Sequence, residues 1–216
     1  MPEKKKFLIV LGRAPGMEIS GKDILQASIE PFVEACPDIR VITILPGEAI
    51  PAWKAYCATR NFHHPQILVP AGFTVFHSVR KALEKVPGGA LVIFQDGNRP
   101  LVRRSQVYEM LRRMQDGVRA LVAAEPLQEA VQRKDEVLSC EDSFLVKMPQ
   151  MYLSEDIKAA YAEAYDLSFT DPSVVAASKK IPLTPVTGGR HNIKIETLED
   201  LSVARAISGI VTGGCN

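Results

Sequence analysis

Two short stretches hold the side chains best suited to chemistry. Asp96-Gly97-Asn98-Arg99-Pro100 follows the apolar run Ala90-Leu-Val-Ile-Phe94. A carboxylate and a guanidinium thus sit three residues apart just beyond a candidate buried strand. Asp96 offers oxygens suited to a hard cation such as Mg2+, or an acceptor for a substrate hydroxyl. The planar fork of Arg99 matches a phosphate. An Asp–Gly turn closed by a surface ion pair would use the same residues, and the segment itself favours neither reading. The second stretch is Gly188-Gly-Arg-His-Asn-Ile-Lys194. Its glycine pair lets the backbone approach a ligand closely, and Lys194 could neutralise charge on a transferring phosphoryl group. A β-turn followed by a solvated lysine is the plainer alternative.

Positioning these residues requires a scaffold, and the hydrophobic pattern supplies one. Phe7–Leu11, Val41–Leu45, Ile67–Val69, Ala90–Phe94 and Ala120–Ala124 are apolar runs that read as strands buried on both faces. Helices are predicted between them at Asp23–Cys36, Pro51–Thr59, Ser78–Val86 and from an N-cap at Ser105 to Gln115, with others at Ser154–Tyr165, Asp171–Ser178 and Leu198–Ser208. This alternation predicts a three-layer, Rossmann-like α/β fold with a mainly parallel sheet. Ligands in such sheets bind beyond the carboxyl ends of the strands, so the loops after Leu11, Val69 and Phe94 form the candidate site. Residues 125–147 break the rhythm. Val137–Ser139 and Phe144–Val146 flank Cys140-Glu-Asp-Ser143 as a hairpin, either an arm toward a partner subunit or an edge of the same domain. Ile193–Ile195 reads as a short strand.

Composition narrows the function classes. The chain has 216 residues, enough for one α/β domain over 1–216 with a protruding arm. Its 26 Lys+Arg and 25 Asp+Glu leave a net charge of +1, which gives no general drive toward nucleic acid or a membrane. The Arg103-Arg104 and Arg112-Arg113 pairs read as solvated helix positions. Cys36, Cys57, Cys140 and Cys215 are scattered without a CxxC pair, and they read as reduced thiols of a cytoplasmic protein rather than a zinc site. No apolar run reaches the roughly 18 residues that span a bilayer. Adjacent His63 and His64 rarely face one ion, and Trp53 with Tyr56 reads as packing.

Several short motifs, in order along the chain, resemble the 2-C-methyl-D-erythritol 4-phosphate cytidylyltransferase family. Asp96-Gly-Asn-Arg-Pro100 resembles its (H)DAxRP segment, and Asn192-Ile-Lys194 with Glu199-Asp-Leu201 resembles its NIKVTxPEDL close. Ser78-Val-Arg80 resembles DSVxxAL, Val122–Gln132 has the layout of the PVxDT arm, and Met148-Pro-Gln150 resembles TPQ. The resemblance implies a nucleotidyltransferase fold, usually a homodimer joined by a β-arm. It implies transfer of CMP from CTP to methylerythritol phosphate, a small phosphorylated polyol, with release of pyrophosphate and with Mg2+ as cofactor. By position, Gly12 belongs to the nucleotide loop, and Gly72 and Ser78 line base and ribose. Asp96, Gly97 and Arg99 stand between nucleotide and substrate, with Asp96 a candidate metal ligand. Lys194 takes the place of the second catalytic lysine, and Arg13, which does not stand at the motif's catalytic arginine, is the candidate cation that compensates in the loop.

The chain departs from the family pattern at identifiable places. The family's PAAGxGxRM loop, with the PKQF lysine after it, is here Val10-Leu-Gly-Arg-Ala-Pro-Gly-Met17 followed almost at once by Gly21-Lys-Asp-Ile-Leu25. The arm's DT pair is Glu129-Ala130, an arginine beyond it falls near Asp142, Met148 replaces the TPQ threonine, and Val75-Phe-His-Ser78 replaces RxDS. Two other readings therefore stand beside the first: a nucleotidyltransferase with another sugar or polyol phosphate acceptor, and a catalytically degenerate relative. They separate on whether Arg13 or Lys22 folds into the triphosphate site.

Overall fold

The computed structural model describes residues 4–115 and 118–213. Its central sheet takes the order β11-β7-β10-β6-β1-β4-β5. β1 (Lys6–Leu11), β4 (Arg40–Leu45), β5 (Gln66–Pro70) and β6 (Leu91–Asp96) are parallel neighbours. β7 (Ala120–Pro126) and β11 (Thr184–Thr187) pair parallel to each other, while β10 (Phe144–Leu153) runs antiparallel to both β6 and β7. Two small hairpins, β2 (Glu18–Ile19) with β3 (Lys22–Asp23) and β8 (Val131–Arg133) with β9 (Glu136–Leu138), stand apart from the sheet.

Successive strand side chains point to opposite faces, so an unbroken apolar strand must be covered on both. Leu8 and Val10 pack with Leu25, Ile29 and Phe32 of α1 (Ile24–Ala35), Trp53 of α2 (Ile50–Thr59), and Val107 and Met110 of α4 (Arg104–Gln115). Phe7 and Ile9 face the other layer, with Phe76 and Val79 of α3 (Val75–Leu83), Ile157 of α5 (Ser154–Tyr161) and Val175 of α6 (Pro172–Ser178). α7 (Leu198–Gly213) forms a third cluster in which Leu201 and Ala204 meet Ile19, Ile24 and Ile195. Among the described residues, no helix is long and apolar enough to cross a membrane.

The strands fall where the apolar runs predict, and the differences lie at element ends. α3 begins at Val75, not Ser78, because Thr74 is the N-cap and its Oγ1 accepts from the His77 N–H at 3.3 Å. Ser105 lies inside the first turn of α4, since the Arg103 carbonyl accepts from the N–H groups of Gln106 and Val107. α5 ends at Tyr161. The expected hairpin of 137–139 with 144–146 does not form. Val137 pairs instead with Gln132, and Phe144–Val146 extend β10 along β7. Lys134, at a φ of 55°, turns the chain between β8 and β9. Ile193–Ile195 is not a strand. The edge position belongs to Thr184–Thr187, an edge being where a strand tolerates a proline such as Pro185. Cys36, Cys57 and Cys140 form no disulfide among the described residues, and the Cys36 thiol donates to Asp38 Oδ1 at 2.8 Å, while Cys215 lies outside the described residues. Trp53 and Tyr56 stack with centroids 5.3 Å apart, as a packing pair.

Phe76 anchors the second layer, fully buried and stacked on Tyr161 at 4.9 Å and Phe169 at 5.5 Å. Phe76→Ala is expected to lower the unfolding free energy by about 3–5 kcal/mol. The urea midpoint should fall with an unchanged slope, and a loss below about 1 kcal/mol would show that this ring stack does not hold the layer.

Candidate active site

At the carboxyl edge of the sheet the backbones of three loops converge. The Gly12 N–H donates to the Ile44 carbonyl at 2.9 Å, the Gly97 N–H to the Leu11 carbonyl at 2.8 Å, and the Ala71 N–H to the Leu45 carbonyl at 2.8 Å. Gly97 and Gly12 are required by closeness. A Cβ on Gly97 would stand 2.7 Å from Leu25 Cδ1 and 2.9 Å from Gly12 Cα, and one on Gly12 would stand 2.9 Å from the Ile44 oxygen. Gly72 belongs to the next loop along. Its N–H donates to Ser78 Oγ at 2.9 Å, and that hydroxyl donates onward to the Thr74 carbonyl at 2.8 Å. Ser78 thus faces inward and holds the Gly72 loop in shape.

The turn after β6 is fastened to the segment before α7. Asn98, which is buried, accepts from the Ile195 N–H at 2.8 Å, and its amide donates to the Ile195 carbonyl at 2.9 Å. Arg99 Nε donates to Asp96 Oδ2 at 2.9 Å, and its Nη1 donates to the Asn192 carbonyl at 2.8 Å. Asn192, fully buried, donates in turn to the Met148 carbonyl at 2.7 Å. Gln95 closes the turn from below, its Nε2 donating to the Arg99 carbonyl at 3.1 Å.

These contacts gather five charged groups. Lys194 Nζ lies 3.1 Å from Glu196 Oε1 and 4.0 Å from Asp96 Oδ2. Glu196 Oε2 takes Arg13 Nη2, from a residue 183 positions away. Asn98 Nδ2 also donates to Glu196 Oε1 at 3.1 Å. Burial raises the Glu196 carboxyl, but the donors Lys194, Arg13 and Asn98 together outweigh it and hold the group below its ordinary range. Arg13 and Lys194 each keep several N–H groups beyond those engaged here.

The structure thus brings Asp96, Arg99, Lys194 and Arg13 into one cluster, with Gly12 and Gly97 beneath. Lys22 is not part of it: its ammonium pairs with Glu30 at 2.6 Å, on the β2–β3 hairpin. Val75 stands at the start of α3, and Glu129, Ala130 and Asp142 are exposed along residues 126–143. His64 Nε2 lies 3.1 Å from the Ile39 carbonyl, away from this edge. Glu196, Asn98 and Asn192 escaped the sequence reading. The signal for Glu196 was an acid two residues beyond Lys194. Asn98 was visible within the motif but was given no role.

Among the described residues no group of three or more His, Cys, Asp or Glu could cage a metal. Mg2+ commonly binds through one or two carboxylates plus substrate phosphates, and Asp96 fits that part. A carboxylate has about four acceptor positions, and the described partners of Asp96 all use Oδ2.

Comparison with known proteins bears on the family and the fold. The model of the family described as IspD, 2-C-methyl-D-erythritol 4-phosphate cytidylyltransferase, matches residues 16–209. A relative of that name from Azobacteroides pseudotrichonymphae is 31% identical over 94% of this chain and 99% of its own. One from Bacteroides fragilis is 31% identical over 88% of this chain and 89% of its own. The fold is similar to 4-diphosphocytidyl-2C-methyl-D-erythritol synthase from Anaerococcus prevotii, with a TM-score of 0.78 at 19% identity, covering 94% and 96% of the two chains. It is also similar to the Francisella tularensis 2-C-methyl-D-erythritol 4-phosphate cytidylyltransferase, with a TM-score of 0.80 at 20% identity, covering 94% and 100%.

Beside the cluster, the His191 imidazole is held below its ordinary pKa, first by burial and then by Arg103 and Lys147. Its Nε2 is buried without a hydrogen-bond partner. The unfolded chain therefore binds the proton more readily, and stability is expected to fall as pH drops below about 6.5, the unperturbed value. Urea unfolding at pH 7.5 and 5.5 should show a loss in the wild type that shrinks in His191→Gln, and an equal loss in both would locate the pH dependence elsewhere.

Proposed function

We propose how this cleft works from the premise that the chain belongs to the 2-C-methyl-D-erythritol 4-phosphate cytidylyltransferase family. The reaction is transfer of CMP from CTP to methylerythritol phosphate, with release of pyrophosphate, in isoprenoid precursor synthesis. The α-phosphorus of CTP is attacked by a phosphate oxygen of the acceptor as pyrophosphate leaves. Both reactants are anionic, so positioning and charge stabilisation do most of the work.

In this reading the nucleotide lies across the loops after β1 and β5. Gly12 and Gly97 let the loops after β1 and β6 close on each other beneath the phosphates, and the Gly72 loop, shaped by Ser78, borders base and ribose. Lys194 and Arg13 take the phosphoryl oxygens whose charge grows in the transition state. Arg99, oriented by Asp96 and the Asn192 carbonyl, faces the acceptor phosphate. Mg2+, held by Asp96 together with the nucleotide, would supply further charge neutralisation. The observation that carries the assignment is the meeting of Arg13, Asp96, Arg99 and Lys194 at the sheet's carboxyl edge. Loss of the Lys194 charge in Lys194→Met should lower kcat/KM by about 10²–10³-fold. Arg99→Ala should cost about 10–150-fold, the worth of a charge-assisted hydrogen bond. Pyrophosphate release is the assay, and turnover left intact in the Arg99→Ala, Lys194→Ala pair would remove the site from these residues.

We read the protein as a cytoplasmic homodimer. Supporting the dimer, the arm exposes apolar side chains, Val137 at 68%, Leu145 at 50% and Phe144 at 47%, that a second arm would cover. Sedimentation should report a dimer for the wild type and a monomer for Phe144→Asp with Leu145→Asp. A wild type that sediments as a monomer at micromolar concentration would end that reading.

A further inference from the structure

We propose that Glu196 is a positioning residue: its carboxylate draws Arg13 of the shortened β1 loop beside Lys194, so that an arginine presents the second cation to the nucleotide phosphates. The inference rests on the cytidylyltransferase reading of the cleft and adds to it a residue with no assigned role.

Three observations carry it. First, the Glu196 carboxylate is a three-way acceptor. Oε2 takes Arg13 Nη2, and Oε1 takes Lys194 Nζ at 3.1 Å and Asn98 Nδ2 at 3.1 Å. No other described contact joins the β1 loop to Lys194 through side chains. Second, Glu196 is the fixed partner and Arg13 the guided one. On one side Ile195 is fastened twice to Asn98. On the other, Asp200 Oδ2 accepts the N–H groups of Glu196 at 2.9 Å and Thr197 at 2.8 Å. The carboxylate therefore extends from a backbone held at both ends, whereas the described side-chain partner of Arg13, which lies in the loop between Gly12 and Gly16, is Glu196 alone. Third, two departures from the family motifs meet in space. The close that resembles NIKVTxPEDL has Glu196 where that motif has threonine, and the loop that resembles PAAGxGxRM is shortened and lacks the PKQF lysine after it. A glutamate at one break and an arginine at the other make a single ion pair.

Charge does not forbid this arrangement. The cluster holds Arg13, Arg99 and Lys194 against Asp96 and Glu196, so one positive charge remains. Each carboxylate contact uses one or two N–H groups of a cation that has three or five, and the rest stay free for phosphate oxygens.

A double-mutant cycle over Arg13→Met and Glu196→Gln tests the proposal, with the KM for CTP, kcat and melting temperature measured for all four proteins. Each single change should raise the KM for CTP about tenfold, the order of one charge-assisted hydrogen bond. The double variant should be no worse than Arg13→Met alone, and all four melting temperatures should agree closely. Glu196→Asp, which keeps the charge, should recover part of the loss. Additive effects, or a Glu196→Gln enzyme that binds CTP more tightly, would overturn the proposal and make Glu196 a competing anion. A wild type that neither binds CTP in calorimetry nor releases pyrophosphate would overturn the parent reading and this one with it. An active wild type with an additive cycle overturns this one alone.

Discussion

The site depends on a pair of hydrogen bonds between Asn98 and the backbone of Ile195. Asn98 is buried and Ile195 fully so, so neither group can turn to water if the other moves. Each bond contributes little net stability, yet losing its partner would leave a desolvated amide or carbonyl at a cost of about 1–3 kcal/mol. The bonds tie the turn that ends β6 to a segment 97 positions later in the chain. Ile195 is packed among Ile19, Ile24, Leu201 and Ala204, while Lys194 and Glu196 on either side of it are exposed. Burying the middle residue therefore decides where the two charged ones emerge. They come to lie over Asp96 and Arg99 because Asn98 stands between those two in the same turn, with Asn192 and Asp200 holding the segment on either side.

How much of this was legible follows from the kind of interaction involved. Strand positions were readable because β1, β4 and β6 are buried on both faces, which requires unbroken apolar runs. Helix ends were less so. The helix read from Ser78 starts three residues earlier, because Thr74 caps it, and the added turn carries Phe76, which stacks on Tyr161 and Phe169. The arm was misread because Phe144–Val146 belongs to a long strand that pairs with β7, a non-local partner that outweighs a local hairpin with 137–139. The segment 193–195 alternates apolar and charged as a strand would, but Ile195 bonds to the backbone carbonyl and side-chain amide of the single residue Asn98 rather than to a neighbouring strand, and no pattern in the sequence signals that.

The site residues divide in the same way. Asp96 and Arg99 were visible because they lie three apart at the end of a buried strand, and the ion pair between them is local. Arg13 could be named but not placed, since its partner is distant in sequence. Glu196 was overlooked because its nearness to Lys194 in the sequence does not by itself distinguish an acid that pairs from a solvated one. A resemblance between motifs can name positions that conform to a family. It is silent on residues that depart from the family together, and those are found only when the fold brings them into contact.

The electrostatics of the cluster give the departures a physical logic. A phosphate site needs cations, but uncompensated cations crowded at one sheet edge repel one another and would splay apart. Asp96 and Glu196 meet this cost from opposite sides, one in the turn after β6 and the other before α7. Asp96 is mostly buried and holds Arg99, whereas Glu196 is about two-fifths exposed and holds Arg13 and Lys194. The buried pair resists rearrangement, because separating it would strand a charge in low dielectric. The exposed trio is screened by water and can exchange partners at small cost. The cluster thus combines a rigid half that fixes orientation with a yielding half that admits an anion. Arg13 and Lys194 can turn toward incoming phosphate without moving the backbone that Asn98 holds in place.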